Sequence, residues 1–516
     1  MRFIALVLCA ALTLGLFAGC SSEEAYVPTG NALEDATIAT EPGETTAAEE
    51  KEFTLAYYAE DGFNPYTCIN FTNRQMFSLL YQGLFTVDSE YNVEPMLCKS
   101  YTVSEDMMTY TFRLETATFA DGSYVQAEDV VASLEAASDN DYYEGRFRYI
   151  NTIEAQSANT VTITTYYPME DLCILLDIPI VKMEDVESLM PTGSGPYELT
   201  RVAGSMTLVK RANWWCDAEL PLQAQTIRLR MATSATDIRD WFEFEDLGVA
   251  YADPGTGSYV DYRCDYEIWY CETGIMVYLA CNVYGSVFSN SAVRSALPYA
   301  IDREALAESN YNGFAQVATL PASPNSPYYD KTLASQITYQ PEKLTKALAE
   351  NNLTGSTIKL LVNKSDSVRL KTAKLIAEML TQCGLVVEIQ ENSTSYFKEN
   401  VYSGNYDIYL GQTQLSPNMD LSEFFAPYGY MSWGGMSNSE IYSMCLEALE
   451  NHGNYYTLHQ MVVRDGQLTP LLFRTYAVYM DRGLLDGLEP ARDSVYWYSL
   501  GKTMEDALVT AAETTE

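Results

Sequence analysis

A strand–helix–strand pattern in the second half of the chain constrains the fold most. Lys359–Asn363 and Leu385–Ile389 each predict a strand, and Ser367–Gln382 between them predicts a helix with one apolar face. Gly384 follows that helix at the position where a glycine commonly ends one. Two strands joined by an amphipathic helix are typical of a βαβ-like unit, so the chain is predicted to be an α/β protein.

The remaining elements agree with a mixed α/β chain. The predicted strands are Phe53–Tyr58, Thr109–Leu114, Thr160–Tyr166 and Tyr406–Leu410, and the predicted helices are Arg74–Gln82, Ala127–Ala137 and Asn438–Asn451. The uncharged stretch Thr273–Val293 is interrupted by Asn and Ser residues, which favours a buried strand followed by a loop over a membrane span. The folded part is about 455 residues long, which predicts two or three domains.

The first 20 residues predict export and lipidation. Arg2 precedes the apolar run Phe3–Ala18, and Leu16–Cys20 places small residues ahead of a cysteine. This pattern is typical of a bacterial lipoprotein signal, with Cys20 as the lipid-bearing mature N-terminus. The alternative is an ordinary cleaved signal with a coincidental cysteine. We expect a protein anchored by lipid to the cell membrane, on its extracytoplasmic face.

The segment after the signal is predicted to be a flexible tether. Residues 21–51 are rich in acidic residues, Thr, Ala, Gly and Pro, and contain a single basic residue at the very end, Lys51. Such a composition cannot bury enough apolar surface to offset the entropy cost of ordering. Residues 507–516 are predicted to be a short tail.

Charge excludes some partners. The formal net charge is −39, which argues against binding nucleic acid or anionic lipid headgroups. The chain is therefore expected to be anchored to the membrane by its lipid and not by a basic patch.

Cysteine and histidine indicate neither a metal site nor catalysis. No CxxC pair is present, and Cys68, Cys98, Cys173, Cys281 and Cys383 occur in apolar contexts that predict core thiols. Cys264 and Cys271 flank a predicted strand and are candidates for a bridge. The two histidines, His452 and His459, are predicted to be exposed on helices. HExxH, GxSxG and Walker A motifs are absent, so we expect no catalytic residues, metal or cofactor.

Six motif groups, in order along the chain, carry a resemblance. They are Tyr81–Leu84 with Glu94–Pro95, Tyr110–Leu114 with Phe119–Gly122 and Ala127–Ser133, Gly193–Tyr197, Ala212–Trp215, Ala292–Glu304, and Cys383–Glu388. Together they resemble the family 5 extracellular solute-binding proteins, the dipeptide- and oligopeptide-binding components of ABC importers. Each motif also has a scaffold interpretation: Ser291 and Asp302 are predicted helix caps, and Arg294 with Asp302 a predicted ion pair.

The resemblance implies a two-lobed fold of the periplasmic-binding-protein type II kind, with a hinge and an extra domain inserted in the first lobe. The implied boundaries are signal 1–20, tether 21–51, first lobe 52–75, 187–278 and 476–506, inserted domain 76–186, second lobe 279–475, and tail 507–516. The implied hinge lies where a strand passes Ala280–Asn282 and returns near Leu471–Phe473. Such a hinge closes the lobes on a ligand.

The resemblance also implies a function and a pocket. The chain is expected to act as a monomer that captures peptides outside the cell and delivers them to the permease and ATPase subunits of an importer. In peptide-binding relatives a Trp lines the pocket and an Asp holds the peptide amino group; here those positions fall on Gln414 and Pro417, and Asp420 is the next acid. Asp420 is therefore either the displaced anchor or a solvated helix cap before Leu421–Phe425.

The predicted ligand contacts are Tyr58, Tyr197, Asn282, Gln414, Asp420, Trp433 and Tyr476. Three other functions remain open at this point. They are binding of a non-peptide solute such as an oligosaccharide or a metal chelate, sensing of a peptide pheromone by a lipoprotein, and surface hydrolysis.

Overall fold

The computed structural model describes residues 53–217, 224–244, 246–253, 261–484, 488–492 and 494–496. The predicted signal, tether and tail, and with them Cys20, lie outside the described residues. The domain boundaries also remain predictions.

The strands of the described chain are short except for two. They are β1 Thr54–Tyr57, β2 Phe85–Val87, β3 Val93–Pro95, β4 Cys98–Val103, β5 Thr109–Leu114, β6 Ile150–Ser157, β7 Thr160–Thr165, β8 Tyr197–Val202, β9 Ser205–Lys210, β10 Thr226–Met231, β11 Val249–Ala252, β12 Tyr266–Cys281, β13 Ala315–Val317, β14 Thr357–Asn363, β15 Val386–Asn392, β16 Ile408–Gln414, β17 Leu468–Asp481, β18 Glu489–Ala491 and β19 Ser494–Tyr496.

The helices alternate with these strands. They are α1 Phe71–Arg74, α2 Phe77–Leu80, α3 Ala127–Ser138, α4 Ala235–Glu243, α5 Ser291–Ala296, α6 Arg303–Tyr311, α7 Lys331–Ala334, α8 Glu342–Glu350, α9 Ser367–Gln382, α10 Thr394–Ser403, α11 Ser422–Phe425, α12 Ser439–Glu450 and α13 Tyr455–Asp465.

Three larger sheets organise the fold. One has the order β1-β10-β9-β8, a second has the order β4-β5-β7-β6, and the third has the order β11-β17-β12-β16-β14-β15 with β13 beside β17. β2-β3 and β18-β19 form two separate ribbons. The mixed α/β class expected from the sequence is confirmed.

The two long strands tie the third sheet together, and their pairing is interrupted at two places in mid-course. β12 and β17 run antiparallel, with a register break between Glu272 and Met276 that lies opposite Thr475 and Phe473. β11 pairs with β17 on one side of the break, and β16 pairs with β12 on the other. We call residues 272–276 and 473–475 the crossing.

The position of the hinge remains a prediction. The expected return near Leu471–Phe473 adjoins the break, whereas Ala280 and Cys281 pair regularly with Tyr409 and Ile408. Within the break, Gly274 adopts a positive φ of 70°, a conformation that glycine adopts without steric cost.

The βαβ unit is confirmed. β14 and β15 pair in parallel and are joined by α9. Asp366 caps that helix by accepting hydrogen bonds from the backbone N–H groups of Val368 (3.1 Å) and Arg369 (2.9 Å). The helix ends before Gly384, which has a φ of 104°. The expected helix of residues 367–382 is reproduced without a shift.

The predicted helix Arg74–Gln82 is wrong. The chain instead forms α1 and α2 with a break at Gln75–Met76. The second helix ends at Leu80 because its carbonyl accepts the N–H of Gly195 (2.9 Å), while Gln82 turns away to pair with Ile180. Tertiary contacts therefore override the helical pattern here.

The Gly-Ser-Gly turn packs tightly, as predicted. A Cβ at Gly193 would lie 1.9 Å from the carbonyl oxygen of Leu80, and one at Gly195 would lie 2.5 Å from its carbonyl carbon. The guanidinium of Arg211 holds the turn by donating to the carbonyls of Ser194 (2.9 Å) and Gly195 (3.0 Å). The motif is therefore a scaffold feature.

Two predictions about the Ala292–Glu304 motif need correction. Asn290, not Ser291, caps α5, because its side chain accepts from the N–H of Ala292 (2.9 Å). Arg294 does not pair with Asp302; it donates to the carbonyl of Phe288 (2.8 Å) and lies 3.7 Å from Asp465. The cap at Asp302 is confirmed, since its side chain accepts from the N–H of Ala305 (3.0 Å).

The core-cysteine predictions are confirmed, whereas the candidate bridge and one histidine prediction are wrong. All five predicted core cysteines are buried thiols, and Cys264 and Cys271 do not form a disulfide with each other. His459 is fully buried because it lies on the same face of α13 as Tyr455, Leu458 and Val462, whereas His452 is partly exposed. The three- and four-residue spacing of this face explains the burial.

Candidate ligand-binding site

A cavity of about 660 Å³ lies against the crossing. Its described lining comes from six stretches of chain: residues 74–96, 141–148, 177–179, 273–274, 413–431 and 491–492. The volume falls within the range of small-molecule and peptide pockets. The cavity is therefore the leading candidate for a binding site in the described part of the chain.

The crossing forms one wall of the cavity. Thr273 donates its hydroxyl to the carbonyl of Arg474 (2.8 Å) and accepts the N–H of Ile275 (3.0 Å), which fixes the bulge. From the facing strand, Gln414 donates its side-chain amide to the carbonyl of Thr273 (3.2 Å). The N–H of Leu415 bonds to the carbonyl of Gly274 (3.1 Å). The bulge thus presents Thr273 and Gly274 to the cavity in a fixed position.

Asp420 lies in the lining, next to the start of α11. One carboxylate oxygen accepts the N–H of Ser422 (2.9 Å), and the other accepts its hydroxyl (2.5 Å). Burial raises the pKa of Asp420, while the bonds from Ser422 and the positive charge of Arg148 oppose that shift. Asp420 therefore bonds locally to Ser422, just ahead of α11, and is partly buried at the cavity wall. A carboxylate has room for further donors beyond these two.

Two arginines share one carboxylate elsewhere in the lining. Arg146 and Arg492 both form ion pairs with Asp177. Burial lowers the pKa of Arg492 to about 10, and the positive charge of Arg146 contributes in the same direction. This cluster places fixed guanidinium groups beside the cavity, where planar recognition of a carboxylate is favourable.

A further arginine connects two stretches of the lining. Arg148 forms an ion pair with Glu423 and donates to the hydroxyl of Ser422 (3.1 Å). Through Ser422 it is linked to Asp420, so Arg148, Asp420, Ser422 and Glu423 form one hydrogen-bonded group. This group joins the two sides of the cavity.

Aromatic rings supply much of the remaining wall. The described lining includes Phe77, Tyr81, Phe85, Tyr91, Tyr142, Tyr143, Phe424 and Tyr430. The guanidinium of Arg74 lies 3.8 Å from the centre of the Tyr142 ring, a cation–π contact. Tyr91 donates its hydroxyl to Glu272 (2.8 Å), so this hydroxyl already has a partner within the protein. Aromatic walls with a few fixed charges suit an amphipathic ligand.

The charged lining is mixed in sign. The described lining contains four arginines and five acidic residues, namely Arg74, Arg146, Arg148, Arg492, Asp141, Glu144, Asp177, Asp420 and Glu423. The whole chain has 31 basic and 70 acidic residues, so arginine is enriched at the cavity. Sequence reasoning missed these arginines. The pair Arg146 and Arg148, close together in a strongly acidic chain, is the signal that would have marked them.

The structure brings together two of the seven predicted contacts. Gln414 and Asp420 both line the cavity, whereas Tyr58, Tyr197, Asn282, Trp433 and Tyr476 are not in its described lining. Tyr197 donates its hydroxyl to the carbonyl of Ala224 (2.7 Å), and Asn282 donates to the carbonyls of Gly404 (2.9 Å) and Tyr406 (3.0 Å). Both side chains thus make scaffold contacts.

The other three lie beside aromatic or polar neighbours. The backbone N–H of Tyr58 bonds to the side chain of Asn73 (2.8 Å). The ring centre of Trp433 is 5.1 Å from that of Tyr402, and the ring centre of Tyr476 is 4.0 Å from that of Phe71. Ligand contact by these residues remains a prediction.

In the described residues, no group of three or more His, Cys, Asp and Glu side chains could hold a metal ion. Nor does the described chain contain a helix with the length and apolarity needed to cross a membrane.

The profile described as "Bacterial extracellular solute-binding proteins, family 5 Middle" matches residues 92–435. The chain belongs to this family, as the ordered sequence motifs implied.

The similar proteins bind different solutes. The glutathione-binding protein GsiB of Escherichia coli (strain K12) is 27% identical over 343 residues, which cover 63% of this chain and 66% of GsiB. The chain thus aligns with slightly less than two thirds of that relative's length.

Two solved structures share the fold. NikA from Brucella suis, in complex with Fe(III)-EDTA, has a TM-score of 0.66 at 17% identity and covers 83% of this chain and 95% of its own. The oligopeptide-binding protein AppA from Bacillus subtilis, in complex with a nonapeptide, has a TM-score of 0.60 at 20% identity and covers 86% of this chain and 97% of its own. These likenesses confirm the two-lobed α/β fold.

Proposed function

We propose that this protein is a membrane-anchored solute-binding protein that captures short peptides outside the cell and delivers them to the permease of an ABC importer. One observation carries the ligand class: the cavity combines a partly buried carboxylate, Asp420, with the guanidinium groups of Arg146 and Arg492 and with aromatic walls. A peptide has an ammonium end, a carboxylate end and side chains of mixed polarity, so it matches all three features.

Family membership supports the transport role. Members are extracellular solute-binding proteins, and the relative GsiB is named for binding glutathione, itself a short peptide. The predicted signal and lipidation at Cys20 support anchoring at the membrane. The strongly acidic chain supports a partner that is neither nucleic acid nor an anionic lipid surface. The protein works as a monomer, without a cofactor and without catalysing a reaction.

A metal chelate is the second candidate. Arg146, Arg148 and Arg492 all reach the cavity, and guanidinium groups bind the carboxylates of a chelator as readily as those of a peptide. NikA, which shares the fold, is described in complex with Fe(III)-EDTA. If the ligand is a chelate, Asp420 contributes less to its binding, because a polycarboxylate chelate has no ammonium group.

A titration panel separates the two. The mature protein is titrated calorimetrically with glutathione, the alanine peptides of two to five residues, and Fe(III)-EDTA. Peptide binding is expected, together with a rise in melting temperature that follows RT ln(1 + [L]/Kd). Binding of Fe(III)-EDTA and of no peptide selects the chelate function. Cleavage of a bound peptide in the same samples selects a hydrolase.

A further inference from the structure

A buried carboxylate at the crossing has no role in the site as described so far. Glu272 is 3% exposed and is the last residue of β12 to pair with β17 before the register break. Thr273 and Gly274, which line the cavity, follow it directly. Burying a charged group is costly unless it is well hydrogen-bonded, so the partners of Glu272 indicate what it stabilises.

The two carboxylate oxygens of Glu272 bind side chains from two distant segments. One accepts the hydroxyl of Tyr91 (2.8 Å), in the turn between β2 and β3. The other accepts the side-chain amide of Asn325 (3.1 Å), in the loop between β13 and α7. Burial raises the pKa of Glu272, and its hydrogen bonds to Ser323, Tyr91 and Asn325 oppose the shift.

Tyr91 connects this group to the ligand space. It lines the cavity, is 3% exposed, and adopts a positive φ of 66°, which is unusual for a bulky residue. A backbone in that region persists when surrounding contacts hold it. The bond to Glu272 is such a contact, so the position of the Tyr91 ring depends on Glu272.

The loop of Asn325 leads to the opposite wall. Ser323 accepts the N–H of Asn325 (3.2 Å) and donates its own N–H to the sulfur of Met419 (3.5 Å). Met419 immediately precedes Asp420. One carboxylate therefore touches the β2–β3 turn directly and the Asp420 segment through one short chain of contacts.

The second strand of the crossing carries a similar arrangement. Arg474 is 5% exposed and pairs with Asp253, just beyond β11 on one side of the break. It also donates to the side-chain carbonyl of Gln412 (3.2 Å), in β16 on the other side. Both long strands thus have a buried charged side chain that bonds to two segments far apart in the sequence.

We propose that Glu272 is a positioning residue of the binding site, which holds Tyr91 and the Asn325 loop to the crossing so that both walls of the cavity keep their ligand-binding geometry. The expected effect of Glu272 on ligand affinity rests on the proposed function. Its expected effect on the structure of the two cavity walls does not. Removing the carboxylate frees Tyr91 and Asn325 at once, while a glutamine keeps the size and part of the hydrogen bonding.

Hydrogen exchange of the ligand-free full chain tests whether Glu272 holds the two wall segments in place. Wild type is compared with Glu272→Ala, Glu272→Gln and Tyr91→Phe. The matched control is Glu267→Ala, on the same strand, where the carboxylate lies 3.6 Å from Arg482 near the surface. Glu272→Ala is expected to speed exchange about tenfold or more in both residues 85–95 and residues 321–329, because loss of bonds to a buried charge frees both segments.

The variants are expected to show separately how Glu272 acts on residues 85–95 and on residues 321–329. Tyr91→Phe should speed exchange in residues 85–95 only, Glu272→Gln should fall between wild type and Glu272→Ala, and Glu267→Ala should change neither segment. Unchanged exchange in either segment of Glu272→Ala overturns the proposal. If that variant does not fold, Glu272→Gln and Tyr91→Phe decide, and exchange equal to wild type in both of them overturns it.

Calorimetry with trialanine and glutathione tests the functional half. Glu272→Ala is expected to weaken binding of the probe that wild type binds by about tenfold or more, with most of the affinity restored in Glu272→Gln. Equal affinity of Glu272→Ala and wild type overturns the proposal. If wild type binds neither probe, the peptide-binding function fails for these ligands, and the exchange experiment still decides the role of Glu272.

Discussion

Gln414 donates its side-chain amide to the backbone carbonyl of Thr273 over 3.2 Å, and so joins the strand that ends at the cavity to the bulge at the crossing. The same bulge is fixed from the other side, where the hydroxyl of Thr273 bonds to the carbonyl of Arg474 (2.8 Å). A residue predicted to contact ligand is thus also part of the joint between the two halves of the long sheet. The side chain of Gln414 is therefore both a predicted ligand contact and a fixed part of this joint.

Asp420→Asn is expected to weaken peptide binding about ten- to a hundredfold, because a charge-assisted bond to the peptide ammonium contributes about 1.5–3 kcal/mol. The asparagine keeps the shape and removes the charge. Calorimetry on the tightest-binding peptide measures the change. Because burial raises the pKa of Asp420, wild-type affinity should also fall as the pH is lowered, at a higher pH than for an ordinary aspartate.

Two controls accompany this variant. Asp139→Asn, an exposed residue outside the described cavity lining, should leave affinity unchanged. N-acetylated peptides should bind the wild type as weakly as free peptides bind Asp420→Asn. Equal binding of free and acetylated peptides would remove Asp420 as the amino anchor.

Arg211→Leu is expected to lower the free energy of unfolding by about 3 kcal/mol, because the loss leaves buried acceptors unpaired. Besides the Gly-Ser-Gly turn, its guanidinium donates to the carbonyls of Thr118 (2.9 Å) and Phe119 (2.8 Å). Urea unfolding measures the change. Arg201→Leu is the matched control, since Arg201 is exposed and donates to Gly204 over 3.4 Å. A similar small loss in both variants would contradict this account of Arg211.

His459 is expected to make stability fall in mild acid. Burial lowers its pKa from 6.5 to about 3, so the unfolded chain binds a proton that the folded chain resists between these values. The loss begins as the pH falls below about 6.5 and reaches about 2 kcal/mol at pH 5. Above pH 7 this residue has no effect on the pH dependence.

His459→Gln removes the titration and tests this assignment. The drop in unfolding free energy from pH 7 to pH 5 should be about 2 kcal/mol smaller in the variant than in wild type. His452→Gln, at a partly exposed site, serves as the control for the loss of a histidine. An identical pH dependence in all three proteins would show that other groups dominate.

Cys20→Ala is expected to abolish lipidation, since Cys20 is the predicted modified residue of the signal. The variant should appear in the medium or as an unprocessed precursor. Cell fractionation and mass spectrometry of the N-terminus measure this. Retention of an acylated mature form at the membrane would exclude Cys20 as the anchor.

Local pattern predicted much of the fold. The bounds of α9 and β5 match the prediction because each element has a clear hydrophobic period, and Gly384 marks the end of the helix. The helix at Arg74–Gln82 was not, because Leu80 gives its carbonyl to Gly195, a residue far away in sequence. A contact of this kind leaves no local trace in the sequence.

The site was harder to predict for the same reason. Gln414 and Asp420, which are predicted from their place in a family-like segment, lie in the cavity lining, and ligand contact by them remains a prediction. Arg146, Asp177 and Arg492 come from separate parts of the chain and meet only in the folded cavity. The side chains of Tyr197 and Asn282 donate to backbone carbonyls, and ligand contact by these two residues also remains a prediction.

Small-angle X-ray scattering of the mature protein, with and without a saturating peptide chosen from the titration panel, tests the central account most directly. A solute-binding protein whose lobes close around its ligand should show a smaller radius of gyration in the bound state. The account predicts this contraction, with no cleavage of the peptide. Saturation without any change in the radius of gyration, or turnover of the peptide, would contradict it.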